Sequence, residues 1–539
     1  MVDQKKIDRI NELARKNKAE GLTPEEIKER DALRKEYLAN FRKSFRARLE
    51  NIEVVSPEEY EKRMKEKKDN RNKRHMEGSK MNLKYELRNG WKVINEMNNM
   101  DAVMEYSNQY MDFLDKGKTE RRCVKEIERL AIENGFKSIS DIEKVVPGDK
   151  IYAINRDKNI ALFVIGKQDI EKGLRIIGSH IDSPRLDLKP NPLYEDDNMG
   201  YFKTHYYGGI KKYQWVTIPL AMYGVVILKD GSKVEISIGD EEGDSVFCVT
   251  DLLPHLAAKQ RQKTLEKGIE GEDLNLLIGS IPDEDQEKDK VKMNILNLLN
   301  SKYNLVEEDF ISAEIEVVPA GKSRNLGFDS SMILSYGHDD RVCSFAGVKA
   351  ILETENPEYT ASVLCADKEE TGSNGNTGMH SRFYENTVAE LINMQTTYSD
   401  LKIRRAFSNS KVLSADVNAG YDPIYSSVYE KNNSCHIGYG VCISKYTGAR
   451  GKSGTSDANA EFVGEIRSIF NEANVVWQSG ELGKVDEGGG GTIAYILANY
   501  DAQVLDCGVG VLSMHAPYEV ISKADIFEMY RGYKAFLNK

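Results

Sequence analysis

Hydrophobic and polar positions change their rhythm three times along this chain. Between residues 5 and 50, Ile7, Ile10, Leu13 and Ala14 recur at helical spacing, and Ile27, Leu33, Tyr37, Phe41, Phe45 and Leu49 form a second stripe. Gly21 separates the two. Thr23-Pro24-Glu25-Glu26 opens the second helix, with Thr23 as N-cap, Pro24 at the first helical position and Glu26 completing a capping box. A helical hairpin is therefore predicted over residues 1–60. Residues 61–82 are densely charged and lose apolar periodicity, the pattern of a linker.

From about residue 83 the pattern alternates between helices and short apolar strands. Helices are predicted near 101–116 and 119–135. Strands are predicted at Ala161–Ile165, Leu174–Gly178, Ala361–Cys365 and Ala502–Leu505. A helix after Asp339 carries Val342, Phe345, Val348, Ile351 and Leu352 on one face, and the last helix carries Ile526, Phe527, Tyr530, Tyr533 and Leu537. This alternation predicts an α/β sandwich on a mixed sheet, built from residues 83–194 and 331–539. Residues 195–330 interrupt it. Val225–Leu228, the turn Asp230-Gly231 and Val234–Ile238 read as a β-hairpin, and Ala313–Val317 as a further alternating strand. The stretch is predicted to be an inserted β-rich domain.

At 539 residues the chain is long enough for several domains, and 40% hydrophobic with 30% charged residues is the balance of a globular protein. No run of about 18 apolar residues is present, which excludes a membrane-spanning helix. The charged N-terminus lacks a signal core, and the seven cysteines form no CxxC, so a cytoplasmic protein with reduced thiols is expected. Residues 1–80 hold 23 basic and 17 acidic side chains, a charge of +6, and the remainder carries −17. Both signs intermix in the basic head, which favours a solvated helical surface over a nucleic-acid arm.

The candidate chemistry is an ordered series of metal-binding side chains. His180 and Asp182 lie in GSHIDSP, Asp339 in GHDDRV, Glu369 and Glu370 in DKEETGS, Asp416 in SADVNAG, and His515 in LSMHAP. Most of them follow an apolar run, and α/β sites collect at the carboxyl ends of strands. Asp182 is spaced to hold the second ring nitrogen of His180. Asp339 opens a helix and has two oxygens, enough to bridge two cations. His338 beside it is a weaker candidate ligand. Consecutive carboxylates point in different directions, so one member of Glu369-Glu370 can bind metal while the other faces the water that metal activates. Taken singly, each residue has an ordinary explanation: a loop histidine, a helix cap, a solvated acid pair.

Taken in order, the series resembles the aspartyl aminopeptidase/aminopeptidase I family of zinc metallopeptidases over about residues 85–539, including KYTGARGKSGTSDANAEF and GGGTIAYILA. The first 55–75 residues resemble the small bacterial YnzC-like helical hairpins, whose function is unassigned. The first resemblance implies a dinuclear zinc peptidase domain, an inserted β-rich oligomerisation domain and a homo-dodecamer. It also implies that His180, Asp339 and Asp416 hold one zinc and that Asp339, Glu370 and His515 hold the second. Glu369 is then the general base, and Asp182 orients His180. Mn²⁺ and Co²⁺ tolerate similar donors. The expected activity is removal of N-terminal residues from peptides. Rival readings are a related dinuclear carboxypeptidase or deacylase, and a catalytically silent assembly protein. Lys368 replaces the His found before the acid pair in better-known members, which leaves the preferred N-terminal residue open. Lys445, Arg450 or Lys452 are candidates to attract an acidic one.

Overall fold

The computed structural model describes Leu13, Lys16, residues 23–33, Lys35 and residues 83–539 apart from Glu242. The chain divides into two units, Met1–Glu86 and Leu87–Lys539. In the first, residues 24–33 are helical. The Thr23 N–H donates to Glu26 Oε2 at 2.9 Å and the Glu26 N–H to Thr23 Oγ1 at 3.3 Å. This is the reciprocal capping box expected there, which satisfies two N–H groups that the first helical turn leaves open. Most of the predicted hairpin, and the linker up to residue 82, lie outside the described residues.

The second unit is built on a nine-stranded mixed sheet. Its order is Lys137–Ser138, Lys150–Asn155, Asn159–Val164, Thr360–Ala366, Leu174–His180, Lys411–Ser414, Gln503–Gly508, Val441–Ser444 and Trp477–Ser479. The three central strands, Thr360–Ala366, Leu174–His180 and Lys411–Ser414, run parallel. Every residue of the first two is buried. The cause is that helices cover both faces, so these strands are mostly apolar without a strict polar–apolar alternation. Helices Met100–Lys116, Glu120–Glu133, His338–Leu352, Ala460–Glu472 and Lys523–Leu537 contribute to the core on one face. Helices Phe383–Gln395, Asp400–Ser408 and Ala494–Ala498 contribute to the core on the other.

Helix His338–Leu352 differs from its one-faced pattern. All its residues but Lys349 are buried, because it lies under helix Lys523–Leu537 and against the sheet at once. Its polar residues are therefore interior groups, and Asp339 and Asp340 lie at its buried N-terminal end.

A second, seven-stranded sheet is antiparallel throughout. Its order is Lys233–Ile238, Leu220–Ile227, Ala313–Pro319, Arg185–Asp196, Met199–Tyr207, Leu276–Gly279 and Cys248–Val249. The predicted hairpin forms with Val226 opposite Val234. The longest strand begins at Arg185, soon after His180. Its polar sequence with Pro190 and Pro192 hides the alternation, and the register shifts between Leu188 and Leu193 where the prolines cannot donate to the ladder.

Candidate metal centre

The three parallel central strands end side by side, and each delivers part of the site. His180 is the last residue of its strand, opposite Ala366 of the neighbour whose continuation carries Glu369 and Glu370. On the other flank, Asp416 follows Lys411–Ser414. Gly508 is required where the next strand passes, since a Cβ there would collide with the Asp416 carbonyl. Asp339 comes from helix His338–Leu352, and His515 from the loop after Gly510–Val511.

These side chains converge. His180 Nε2 lies 3.3 Å from Asp339 Oδ1, 3.8 Å from Glu369 Oε2 and 4.0 Å from Asp416 Oδ1. His515 Nε2 lies 3.1 Å from Asp339 Oδ2 and 3.5 Å from Glu370 Oε2. Donor atoms of His180, Glu369 and Asp416 lie within 4.8 Å of one another, as do those of His180, Asp339 and Glu370 and of Asp339, Asp340 and Asp416.

Both imidazoles turn their other nitrogen to a fixed partner. His180 Nδ1 is 3.1 Å from the Asp182 carbonyl and 3.3 Å from its Oδ1. His515 Nδ1 is 2.9 Å from the Gly209 carbonyl. Nε2 is thereby left free to coordinate in each ring. Asp182 also accepts the backbone N–H groups of Glu369 and Glu370, each at 3.2 Å, so it ties the acid pair to the histidine.

The electrostatics are those of carboxylates crowded into a buried space. Burial, with Asp339 and Asp182 nearby, pushes Glu369 up to about 7 against the pull of His180. Glu370 and Asp416 are raised well above the usual range, again chiefly by burial. Asp339 is also buried, yet the two imidazoles hold it below the ordinary carboxylate value. Burial alone would lower His515, but Asp339 and Glu370 raise it to about 10. A divalent cation held among these groups would supply positive charge and invert that balance. Glu370 Oε1 and Asp340 Oδ1 are buried with no hydrogen-bond partner, which fits a centre of that kind.

His338 is not part of the cluster. Its Nδ1 meets the Tyr110 hydroxyl at 2.8 Å and its Nε2 the Ile333 carbonyl at 3.3 Å, in a core where burial lowers its pKa to about 3. Lys445 and Lys452 both face Asp457, at 3.6 and 2.8 Å. Glu519, Tyr207, Gly209 and Asp340 are additions that no spacing rule singled out. Glu519 stands four residues after His515, as a bystander in HAPYE would. Tyr207-Gly208-Gly209 reads as an ordinary strand end.

Comparisons with known proteins identify the family of the chain. A family profile described as "Aminopeptidase I zinc metalloprotease (M18)" matches residues 113–537. A second, "Bacterial protein of unknown function (DUF896)", matches residues 5–62. The "Probable M18 family aminopeptidase 1" of Clostridium acetobutylicum is 52% identical over 458 residues, covering 84% of this chain and 98% of that protein. The crystal structure of an M18 aminopeptidase from Thermotoga maritima superposes with a TM-score of 0.82 at 45% identity, covering 85% of this chain and all of that one. A dodecamer of mApe1 from S. cerevisiae shares the fold, with a TM-score of 0.65 at 22% identity over 80% of this chain and 95% of that one. With a family match across most of its length and a relative at this identity, the chain belongs to the aminopeptidase I (M18) family of zinc metalloproteases and is an aminopeptidase, a hydrolase acting on peptides.

Proposed function

We propose that this enzyme removes N-terminal residues from peptides at a centre of two divalent cations. The observation that carries the reading is Asp339, whose two oxygens face different imidazoles, Oδ1 at 3.3 Å from His180 Nε2 and Oδ2 at 3.1 Å from His515 Nε2. A carboxylate so placed has one oxygen for each of two ions. His180, Asp339 and Asp416 would hold the first, and Asp339, Glu370 and His515 the second. Zinc is the metal in the family's name, and Mn²⁺ or Co²⁺ suits the same donors. When bound, such a pair polarises a water and the scissile carbonyl near neutral pH.

The chain's own residues do the rest. Glu369 is the general base: its Oε2 is 3.8 Å from His180 Nε2, and it would take a proton from the attacking water at that oxygen and return it to the leaving amine as the C–N bond breaks. Asp182 holds His180 through Nδ1. The match to aminopeptidases, rather than the donor set, favours this reading over a dinuclear carboxypeptidase or deacylase, which would use the same groups.

Residues 83–194 with 331–539 form the catalytic domain in this reading, and 195–330 the domain that joins subunits. Leu252, Leu253 and Leu256 support the latter, standing 53%, 51% and 68% exposed on that stretch. A homo-dodecamer is the assembly proposed, by likeness to the mApe1 particle. A cytoplasmic location agrees with the seven free cysteines. Among the described residues no helix is long and apolar enough to cross a membrane.

The test uses the full chain with Zn²⁺, Mn²⁺ or Co²⁺ on amino-acyl anilides and on N-acylated amino acids. Turnover of substrates with a free α-amine alone is expected. Turnover of the N-acylated set alone would make it a deacylase. Glu369→Gln should retain metal and lose most activity, and undiminished turnover would sink the base assignment.

A further inference from the structure

Three consecutive residues, the last of a strand in the seven-stranded sheet and the two that follow it, reach both halves of the ligand cluster. Strand Met199–Tyr207 ends at Tyr207, whose hydroxyl donates to Asp182 Oδ2 at 2.8 Å. Asp182 is the carboxylate that faces His180 Nδ1 and accepts the N–H groups of Glu369 and Glu370. Two residues on, the Gly209 carbonyl meets His515 Nδ1 at 2.9 Å. Between them, Gly208 has φ +75, and a Cβ there would lie 3.3 Å from both Cβ and Oε2 of Glu370. These three residues thus reach the partner of His180, His515 itself and one member of the acid pair.

This segment is itself held firmly. The Arg185 guanidinium lies 3.9 Å from the centre of the Tyr207 ring. Buried Arg185 donates to Asp187 on its own strand at 2.8 Å and also faces Glu316, at 3.4 Å, and Glu120, at 3.8 Å, the last of which meets Lys158 at 3.2 Å. Glu316 lies on the seven-stranded sheet and Glu120 on helix Glu120–Glu133, which packs on the nine-stranded one. Buried charges of this kind are costly to leave unpaired, so they resist separation of the two sheets.

We infer that Tyr207 and Gly209 are positioning residues of the metal centre, through which the seven-stranded sheet fixes the outer nitrogens of both histidines. A coordinating histidine needs that nitrogen held, because the hydrogen bond sets its tautomer and ring orientation. For His180 the holder is Asp182, which Tyr207 restrains together with the N–H groups of Glu369 and Glu370. For His515 the holder is the Gly209 carbonyl. The seven-stranded sheet, most of whose strands lie in the stretch assigned above to subunit assembly, therefore also sets metal affinity at both positions. This rests on the two-cation reading.

The experiment loads the full-length protein with Co²⁺ and follows chelator competition and the visible spectrum. Steady-state kinetics and the metal-free melting temperature are measured alongside. Tyr207→Phe should weaken binding of one cobalt about tenfold and lower kcat with KM little changed, the range usual for lost outer partners of a ligand. Gly209→Ala puts a Cβ 3.3 Å from His515 Nδ1, so it should weaken the other cobalt and shift the visible band. Wild-type affinity and spectrum in both variants would overturn the inference while leaving the two-cation reading intact. Failure of the wild-type chain to bind cobalt would remove that reading, and the inference with it. Should Tyr207→Phe not fold, Gly209→Ala decides, since it removes no hydrogen bond.

Discussion

The Glu519 carboxylate accepts the backbone N–H of Asp339 through Oε2 at 3.0 Å, although 180 residues separate the two in sequence. Its other oxygen accepts the N–H of His515 at 2.6 Å. One buried side chain thus fixes the spacing between the carboxylate and the imidazole that flanks it. Glu519→Gln presents an amide N–H₂ where an acceptor is needed. The expected cost is about 1–3 kcal/mol of stability, the penalty of an unsatisfied buried group, with a lower kcat. Denaturant titration and steady-state kinetics read both, and wild-type values in each would deprive Glu519 of this role.

Asp339→Asn keeps the shape of the side chain and leaves one acceptor oxygen instead of two. Bound metal per chain should fall from two equivalents to one or fewer after gel filtration. Elemental analysis that still finds two would show that Asp339 does not bridge.

The acid pair should separate by what each variant loses. Glu370 Oε2 faces His515 Nε2 at 3.5 Å, whereas Glu369 Oε2 faces His180 Nε2 at 3.8 Å. Glu370→Gln is expected to weaken one metal position by at least about tenfold, with activity partly restored by excess metal. Glu369→Gln is expected to bind both ions and remain inactive at any metal concentration. Metal titrations of activity for the two variants, if superimposable, would abolish the distinction.

Asp506, buried on strand Gln503–Gly508 and bonded to the Thr492 hydroxyl at 2.7 Å, offers a pH test on a carboxyl outside the proposed ligand set. Burial raises its carboxyl from 3.8 to about 6. The folded chain therefore holds a proton that the unfolded chain releases. The stabilisation is complete below about pH 3.8 and is lost as pH rises through about 6, by up to ~3 kcal/mol. Asp506→Asn removes that loss and keeps an acceptor for Thr492. Its stability relative to wild type should rise between about pH 4 and 7 in urea unfolding. A constant difference across that window would contradict the assignment.

Much of the fold was legible because the central strands each carry a mostly apolar run and end in polar, turn-forming segments. Leu174–His180 and Thr360–Ala366 contain the predicted runs, and the helices predicted at 101–116 and 119–135 form as Met100–Lys116 and Glu120–Glu133. The Arg185–Asp196 strand was not legible, since its prolines and charges break the alternation that marks a half-buried strand. His338 shows the same limit at the site. It is adjacent to Asp339, but the backbone turns its ring into the core, where Tyr110 meets it.

By itself, the sequence determined the identities and order of the chemical groups: two histidines, an aspartate at a helix start, a glutamate pair and an aspartate after a strand. Apolar periodicity is a local property, and it also placed most of these groups at strand or helix ends. Only the tertiary structure decided which of them meet. Parallel pairing brings three strand ends together, the helix under the sheet carries Asp339 between two imidazoles, and a second sheet supplies Tyr207 and Gly209 behind them. Those contacts join residues far apart along the chain. They depend on sheet order and packing, which no single window of sequence encodes.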